Sequence, residues 1–356
     1  MASSSRKLLP LCDCLGGRLP RRGDWKSIIA LANHTLTTPS LIACVRSHRA
    51  ALPEDVVAYV QELHDRNAIR NERLSAQLEE AVLALNRVRI IPLLIKGAAM
   101  LATSPPSARA LRLMSDLDLI VRPDEIDAAK KGLAAIGYSV DYESDGQQTK
   151  WYADLKRPCD VGMIDLHHAF PDRSFFNRTL DDLRSHLRPV RLGTATALVP
   201  SPALRALVLV VHDQFQDYDY WTGRIDLRHL LDLRELLIAP DGPQWDELMA
   251  MVSGTLARNA VEARLLLLTT LFDIPWPAHR PKRLVPRLQV RRQLLQARIP
   301  PIRYFFLPMG FLDYRSHPRG RAEPPVPDGR KRRWFPKLAT LRFLVSLSHQ
   351  YRAGKI

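Results

Sequence analysis

The sequence predicts an α/β (α+β) fold, in which a small core of strands and helices is flanked by N- and C-terminal helices. Two observations predict it. Short apolar runs of strand length, the first at 89–95, alternate with helical patterns as far as residue 170. Longer amphipathic patterns begin at Pro53 and return after Pro202. Strands and helices therefore share one core, with further helices before and after it in the chain.

The first element of the core is a long helix that begins at Pro53, a residue that suits the first turn of a helix. Apolar residues recur at helical spacing over 56–85. A break near Asn67 or Asn71 is expected to divide this helix in two. The apolar run 89–95 then has the length of a strand.

The remaining core elements follow in order. Residues 115–121 form an apolar run that predicts a second strand, and a helix is predicted over 123–136 because Gly137 is a typical stop signal. Residues 163–170 alternate between apolar and polar side chains, the period of a strand. Further strands are expected at 138–143 and at 150–157, the latter in a hairpin-like pair with 163–170.

Four segments are predicted from these patterns and from a change of composition after Pro275. Beyond that residue the chain is rich in proline and arginine, with a disordered link predicted at 321–334 and a closing helix at 337–352. The predicted segments are an N-terminal extension (1–52), the core with its leading helix (53–200), a helical domain (201–275) and a basic Pro/Arg-rich C-terminal segment (276–356). Residues 1–24 are expected to be irregular.

The positive charge is concentrated at one end of the chain. The sequence has 52 Lys and Arg against 37 Asp and Glu. From residue 280 onward there are 19 basic residues and only 3 acidic ones. The rest of the chain is close to neutral, so any anionic partner, such as nucleic acid or an anionic lipid surface, is expected at the C-terminal segment first. The alternative is that this basic run is simply solvated and flexible.

Cysteine usage and hydropathy indicate the cellular compartment of the protein. The 4 cysteines include no C-x-x-C pair, which predicts reduced thiols and a cytoplasmic location. The apolar stretch near the N-terminus is interrupted by Pro10 and Asp13 and is too short for a secretory signal. Runs such as 265–272 fall well short of the roughly 18 apolar residues that a membrane span needs. Neither export nor a transmembrane segment is expected.

The strand predicted at 115–121 carries two aspartates, Asp116 and Asp118. Residues i and i+2 of a strand share a face, so these carboxylates project together, and their repulsion is relieved by a divalent, oxygen-seeking cation. Asp165 lies on a later strand and offers a third carboxylate, with His167 on the same face. Such a set suits Mg²⁺ or Mn²⁺ and the transfer of phosphoryl or nucleotidyl groups.

The junction between the strand at 89–95 and the next helix suggests a phosphate contact. A helix N-terminus offers free N–H groups to anions. Gly97 permits close approach of the backbone, and Lys96 adds a positive charge. The alternative is a solvated lysine beside an ordinary helix-start glycine.

Further carboxylates receive less specific predictions. Asp213, Asp217 and Asp219 are interpreted as a solvated helix end, and His212 as a histidine satisfied within an apolar helix. Asp226 and Asp232 lie on an amphipathic helical pattern and are expected in surface or inter-domain ion pairs, with a position that reaches the cleft as the alternative for either.

Several motifs follow one another between residues 60 and 270. They are the strand-ending Lys96-Gly97, Arg112 ahead of the Asp-Leu-Asp of 116–118, the Leu133–Tyr138 helix end and the Asp-Leu-His of 165–167. In this order they resemble the uncharacterised nucleotidyltransferase family of the polymerase-beta-like superfamily. The resemblance implies a nucleotidyltransferase core with a short mixed sheet and surrounding helices.

The resemblance also implies an activity: transfer of an NMP from an NTP to an acceptor hydroxyl, with release of pyrophosphate. It assigns Asp116, Asp118 and Asp165 as the catalytic residues that hold Mg²⁺ or Mn²⁺. The residues implied in nucleotide binding are Lys96, Gly97, Arg112, Ser115 and His167. The acceptor is a small molecule, a peptide or an RNA, and an accessory role in a biosynthetic cluster is plausible.

Two alternatives stay open. Superfamily relatives place Gly-Ser or Gly-Gly after the first strand, where the serine helps to hold the triphosphate, whereas here Gly97 is followed by Ala98. A non-catalytic binding or accessory protein with the same fold fits that difference. A tRNA-directed, toxin-like transferase fits the basic segment 276–356, which would then anchor the RNA.

Overall fold

A computed structural model of the chain describes residues 5–21, 24–144, 151–170, 183–316 and 354–356. Its centre is a seven-stranded mixed sheet. The strands are β1 (Leu93–Leu94), β2 (Asp116–Ile120), β3 (Ser139–Glu143), β4 (Tyr152–Lys156), β5 (Met163–His167), β6 (Leu187–Leu192) and β7 (Ala195–Pro200). Their spatial order is β3-β4-β5-β2-β1-β7-β6. The α/β fold and the mixed sheet are confirmed.

The central pairings bring the predicted site strands together. β2 and β5 are adjacent and parallel, although some forty residues of chain separate them. β4 pairs antiparallel with β5, which confirms the hairpin-like pair. On its other side β2 pairs antiparallel with the very short β1, so β2 lies in the middle of the sheet.

The sequence analysis did not identify β6 and β7. They form an antiparallel pair, and β7 joins the sheet parallel to β1. β6 is an edge strand, the position that tolerates Pro189 because a proline lacks the N–H needed in the interior of a sheet. The proline and the half-exposed side chains of β6 hide its strand character.

Fourteen α-helices lie within the described ranges, before, between and after the strands. They are α1 (Ser5–Leu15), α2 (Trp25–His34), α3 (Ile42–Ser47), α4 (Glu54–Arg87), α5 (Lys96–Thr103), α6 (Pro106–Arg109), α7 (Ile126–Ala134), α8 (Pro202–Val211), α9 (Asp219–Thr222), α10 (Leu227–Ile238), α11 (Trp245–Ala250), α12 (Gly254–Phe272), α13 (Leu284–Arg298) and α14 (Arg303–Ser316). A π-helical turn, His212–Gln216, follows α8.

The predicted break in α4 is wrong. The helix runs for 34 residues without interruption, and Asn67 and Asn71 are buried on its inner face. Their side-chain amides donate to carbonyl groups of the loop that precedes β2. The two asparagines interrupt the apolar pattern because they bind this loop, and not because the helix ends there.

Two hydrophobic clusters hold the molecule together. One is formed by α4, α5, α7 and the sheet, and includes Leu78, Leu117 and Ile164. The other joins the N-terminal helices to the helices after Pro202, and includes Leu11 and Leu267. The cores meet around the central strands, since Leu94 belongs to the first and Ile95 to the second.

The ends of the chain differ from expectation in one respect. The predicted irregular segment 1–24 contains α1, whose Leu11 and Cys12 are fully buried. The predicted link 321–334 and closing helix 337–352 lie outside the described residues. Residues 354–356 pack against the body of the protein. Within the described part of the chain, no helix has the length and hydrophobicity needed to cross a membrane.

Candidate active site

The carboxylates of the central strands lie side by side on one face of the sheet. Asp118 of β2 is in register with Asp165 of β5. Asp165 is in turn in register with Asp154 of β4. Asp116, two residues before Asp118, shares this face, because successive side chains of a strand alternate between the two faces. We call Asp116, Asp118, Asp154 and Asp165 the carboxylate face.

Asp118 is the best-neutralised member of the carboxylate face. Its Oδ1 accepts a hydrogen bond of 2.8 Å from Lys96 Nζ and lies 3.4 Å from His167 Nε2. Its side chain is only 2% exposed. Burial alone would raise the pKa of Asp118, but the ammonium of Lys96 and the hydrogen bond from His167 hold it well below the usual range. Asp118 is therefore a buried, ionised carboxylate.

Asp165 lacks such a partner. Its Oδ1 is buried and has no hydrogen-bond partner in the structure. Burial, together with repulsion from Asp118, Asp116 and Asp154, raises the pKa of Asp165 to about 8. Buried polar atoms in native proteins are normally satisfied, so this oxygen indicates a group that completes the site.

A divalent cation fits that position. Ligand atoms of Asp118, Asp165 and His167 all lie within 4.8 Å of one another, close enough to hold one ion. Two carboxylates suit Mg²⁺ or Mn²⁺, and an imidazole nitrogen is a better ligand for Mn²⁺ than for Mg²⁺. Asp116 lies on the same face but outside this group, although its charge acts on Lys96 and Asp165.

Lys96 begins α5 in an unusual backbone conformation. Its φ is +48°, in the left-handed region that residues with a side chain rarely adopt. Such a conformation costs on the order of 1–3 kcal/mol and tends to occur at functional sites. Here it directs the side chain, 14% exposed, to Asp118. No side chain caps the first turn of α5, so its N–H groups remain available beside the ammonium.

Gly97 and Arg112 pack against each other. A Cβ atom at Gly97 would lie 2.7 Å from Arg112 Nη1 and 2.8 Å from Met114 Sδ, so the glycine lets the loop before β2 approach the start of α5. Arg112 Nε donates to Asp232 Oδ2 of α10 at 2.7 Å. Arg112 therefore connects the loop before β2 to α10 through an ion pair with Asp232. An ion pair between segments was expected for Asp232.

Polar side chains of α4 hold the loops from which β2 and β5 emerge. Asn71 Nδ2 donates to the carbonyls of Arg109 and Arg112, each at 2.7 Å. Arg70 Nε donates to the carbonyl of Met114, and its Nη2 to that of Val161. The helix thus fixes the spacing of the two strands that carry the aspartates. Ser115, the last residue of its loop, is exposed beside Asp116.

Sequence reasoning missed several of these residues. Asp154 is the fourth carboxylate of this face. Two signals together could have placed it there: side chains alternate between faces along β4, and β4 pairs with β5. Arg70 and Asn71 contribute polar groups within the apolar pattern of α4, which was interpreted as a helix break. The prediction that Asp213, Asp217 and Asp219 form a solvated helix end is also wrong, since Asp213 and Asp219 are only 3% and 0% exposed.

A mixed sheet with carboxylates on adjacent central strands and helices on both sides defines an α/β nucleotidyltransferase fold. Comparison with known families agrees with this assignment. The chain belongs to the family described as uncharacterised nucleotidyltransferase, whose profile matches residues 21–273, more than half of the chain. This confirms the family suggested by the motifs. No curated protein and no solved structure was found to match the chain.

Proposed function

We propose that the protein is a divalent-metal-dependent nucleotidyltransferase that moves an NMP from an NTP to an acceptor hydroxyl and releases pyrophosphate. Membership of a nucleotidyltransferase family supports the general reaction class. The single observation that carries the metal dependence is the pair formed by Asp118 and Asp165, in register on parallel strands, with a buried oxygen of Asp165 left without a partner.

The carboxylate face supplies two functions in this proposal. Asp118 and Asp165, with Asp116 or His167 as a further ligand, hold the ion. A bound divalent ion stabilises the charge that builds on the phosphate oxygens during transfer. Asp165 also accepts the proton of the acceptor hydroxyl. Burial and the neighbouring carboxylates raise its pKa to about 8, and a bound divalent ion would lower this pKa and favour the ionised form that can act as the base.

The start of α5 supplies the contacts to the phosphates. Lys96 is a buried cation at the edge of the carboxylate face, and the uncapped N–H groups of the first helical turn lie next to it. Both attract anions. Arg112 stands behind Gly97 and is engaged by Asp232, so it positions this turn rather than facing bulk solvent.

One observation favours a second candidate, a non-catalytic binding protein with the same fold. Lys96 already occupies an oxygen of Asp118 at 2.8 Å, and an internal ammonium can neutralise a buried carboxylate without any metal. In that case Asp165 would remain protonated at neutral pH. The two candidates differ in whether a divalent ion changes the affinity for an NTP.

The experiment is to compare the wild-type chain with the double variant Asp116→Asn/Asp118→Asn. We expect Mn²⁺ to increase NTP binding to the wild type, and labelled NTPs to transfer NMP to a component of a cell extract. The double variant should lose transfer by roughly 10³-fold or more, because it removes two carboxylates assigned to the metal.

Asp141→Asn is the matched control. Asp141 is also a strand aspartate, but it is exposed on edge strand β3 and pairs with Lys156. We expect this variant to keep both metal-dependent binding and transfer. Metal-dependent binding and transfer that persisted in the double variant would contradict the metal assignment, whereas metal-independent NTP binding without transfer would favour the non-catalytic candidate.

A further inference from the structure

A three-residue segment from the far end of the chain occupies a groove beside α10. Ile356 and Ile225 exchange both backbone hydrogen bonds, at 3.0 and 3.1 Å, in the manner of an antiparallel bridge. Gly354 N donates to the carbonyl of His34, and the carbonyl of Lys355 lies 2.8 Å from the Nε2 atom of the same histidine. The groove therefore contacts the backbone of this segment from two sides.

The side chain of Lys355 fills a pocket at the bottom of this groove. Its Nζ donates to Asp217 Oδ2 and to Asp219 Oδ2, each at 2.7 Å. Lys355 is only 9% exposed and Asp219 is fully buried. The ammonium is bound by one buried carboxylate, that of Asp219, and one partly buried carboxylate, that of Asp217. Burial of either charge without the other would be costly.

The pocket combines several carboxylates with Lys355 and other basic groups. Burial raises the pKa of Asp219 to about 6, although the adjacent ammonium of Lys355 favours its ionised form. Asp219 Oδ1 has no hydrogen-bond partner, and neither has the buried Nη1 of Arg264. The carboxylates of the pocket are Asp213, Asp217, Asp219 and Asp226, and the cations around them are Arg264, His229 and Lys355.

The pocket adjoins the carboxylate face. Burial lowers the pKa of His212 to about 4, and the nearby ammonium of Lys96 lowers it as well, so His212 lies between the pocket and the carboxylate face. Asp226 caps α10 at the pocket, and Asp232 of the same helix binds Arg112 behind the phosphate turn. Asp232 lies six positions after Asp226 in the chain, which corresponds to about 9 Å along the helix axis.

The pocket and its occupant have different origins in the chain. His34, Asp217, Asp219, Ile225 and Asp226 all lie within the segment matched by the family profile, residues 21–273. The occupant, 354–356, lies outside that segment. The groove residues therefore lie within the profile match, whereas the peptide that fills the groove comes from the part of the chain that follows it.

We propose that this acidic pocket is a binding site for an alkyl-ammonium group of the acceptor, and that Lys355 occupies it as a tethered, exchangeable mimic of that group. The proposal rests on the proposed function in one respect, namely that the ligand is an acceptor of nucleotidyl transfer. The recognition of the ammonium itself rests only on the contacts of Lys355. The segment 354–356 then competes with the acceptor.

The first test is chemical rescue of the Lys355→Ala variant. This substitution removes the propylammonium part of the side chain and leaves Asp217 and Asp219 without it. We expect n-propylamine, at about ten times its dissociation constant, to raise the unfolding midpoint of this variant by about 2 °C. n-Propanol, which has the same shape without the charge, should have no effect. Lys131→Ala, which removes an exposed lysine of α7, is the matched control and should not respond to the amine.

The second test uses the wild-type chain and so does not depend on the folding of a variant. The peptide Ala-Gly-Lys-Ile, which repeats residues 353–356, is added in excess while backbone amide exchange is followed. We expect the amides of Gly354 and Ile356 to exchange at least tenfold faster, because the peptide displaces the tethered segment from His34 and Ile225. A peptide with norleucine in place of lysine should leave both amides protected.

These readouts need neither nucleotide nor metal, so they separate this proposal from the proposed function. Amine rescue and lysine-dependent displacement would support the ammonium site even if no transfer were found. Rescue by n-propanol as well as n-propylamine would overturn it, as would unchanged exchange of Gly354 and Ile356 in saturating peptide. In both cases Lys355 would be a fixed structural ion-pair partner.

Discussion

Two buried acidic regions of this protein treat their charge differently. On the carboxylate face, Lys96 neutralises Asp118 while an oxygen of Asp165 has no partner. In the acidic pocket, Lys355 binds two carboxylates at once, and Arg264 and His229 lie around the others. Both regions depend on a lysine, and both contain a His/Asp group whose ligand atoms lie close enough together to hold an ion. They differ in that Arg264 lies beside Asp213 and Asp219 in the acidic pocket.

The groups that line each region indicate which kind of cation the region suits. Hard oxygen ligands on a rigid sheet favour a small divalent ion. A groove that also binds extended backbone on two sides favours an ammonium on a flexible stem, as Lys355 demonstrates. The two regions would therefore serve different ends of one reaction, the nucleotide and the acceptor.

The largest expected effect comes from removing the lysine of each region in turn. Lys96→Met and Lys355→Met should each destabilise the fold by about 3–5 kcal/mol, because each leaves a buried carboxylate without its cation. We expect excess Mn²⁺ to restore much of the stability of Lys96→Met, but not that of Lys355→Met. Urea unfolding with and without Mn²⁺ measures this difference.

Alkylamines should show the reverse selectivity in the same experiment. They are expected to stabilise the Lys355 variants and to leave Lys96→Met unchanged, because its site is bounded by the sheet and lacks the groove. If Mn²⁺ stabilised both methionine variants equally, the distinction between the two regions would be lost.

The second effect concerns the pH dependence of the carboxylate face. The pKa of Asp165 is about 8 in the folded chain and near 4 when unfolded, so the folded state binds an extra proton between these values. Stability should therefore fall as pH rises through this window. Between pH 6 and pH 8, without metal, the loss is on the order of 2 kcal/mol.

The Asp165→Asn variant tests this assignment. Between pH 6 and pH 8, the wild type should lose about 2 kcal/mol more of its free energy of unfolding than Asp165→Asn does. Mn²⁺ should abolish the difference, since a bound cation favours the ionised carboxylate. Urea unfolding at both pH values, with Asp141→Asn as the control, provides the measurement. Equal pH dependence in wild type and Asp165→Asn would show that Asp165 is ionised throughout.

The two regions also differ in how far the sequence predicts them. Asp116, Asp118 and Asp165 follow apolar residues with the period of a strand, and parallel pairing of β2 with β5 brings them together as the motifs imply. Local periodicity therefore places most of the carboxylate face. Asp154 was missed because one further pairing, β4 with β5, is needed to put it on the same face.

The acidic pocket could not be predicted in this way. Lys355 is 138 residues from Asp217, and no local pattern connects them. Its carboxylates follow an apolar helix, where exposed acids usually mark a solvated end, and only the tertiary fold buries them. The same limitation applies to Asn71, whose role in α4 depends on a loop some forty residues away.

The smallest expected effect comes from Gly97→Ala, which tests whether this glycine serves packing within the carboxylate region. The new Cβ would displace the ends of Arg112 and Met114, and overpacking of this kind costs about 1–3 kcal/mol. Replacing a helical glycine with alanine offsets about 0.5–1 kcal/mol of that cost. The net change in stability should therefore be near 1 kcal/mol.

The effect of Gly97→Ala on transfer should be larger than its effect on stability, because in the proposed function the start of α5 binds the phosphates, and Arg112, held by Asp232, packs against it. We expect about a tenfold lower transfer rate. Gly132→Ala is the matched control: it adds a Cβ 3.1 Å from Val88 Cγ2, also within a helix, but on α7 rather than at the phosphate turn. A similar loss of transfer in both variants would show that Gly97 acts through general stability, and an unchanged rate in Gly97→Ala would show that the position of Arg112 does not limit the reaction.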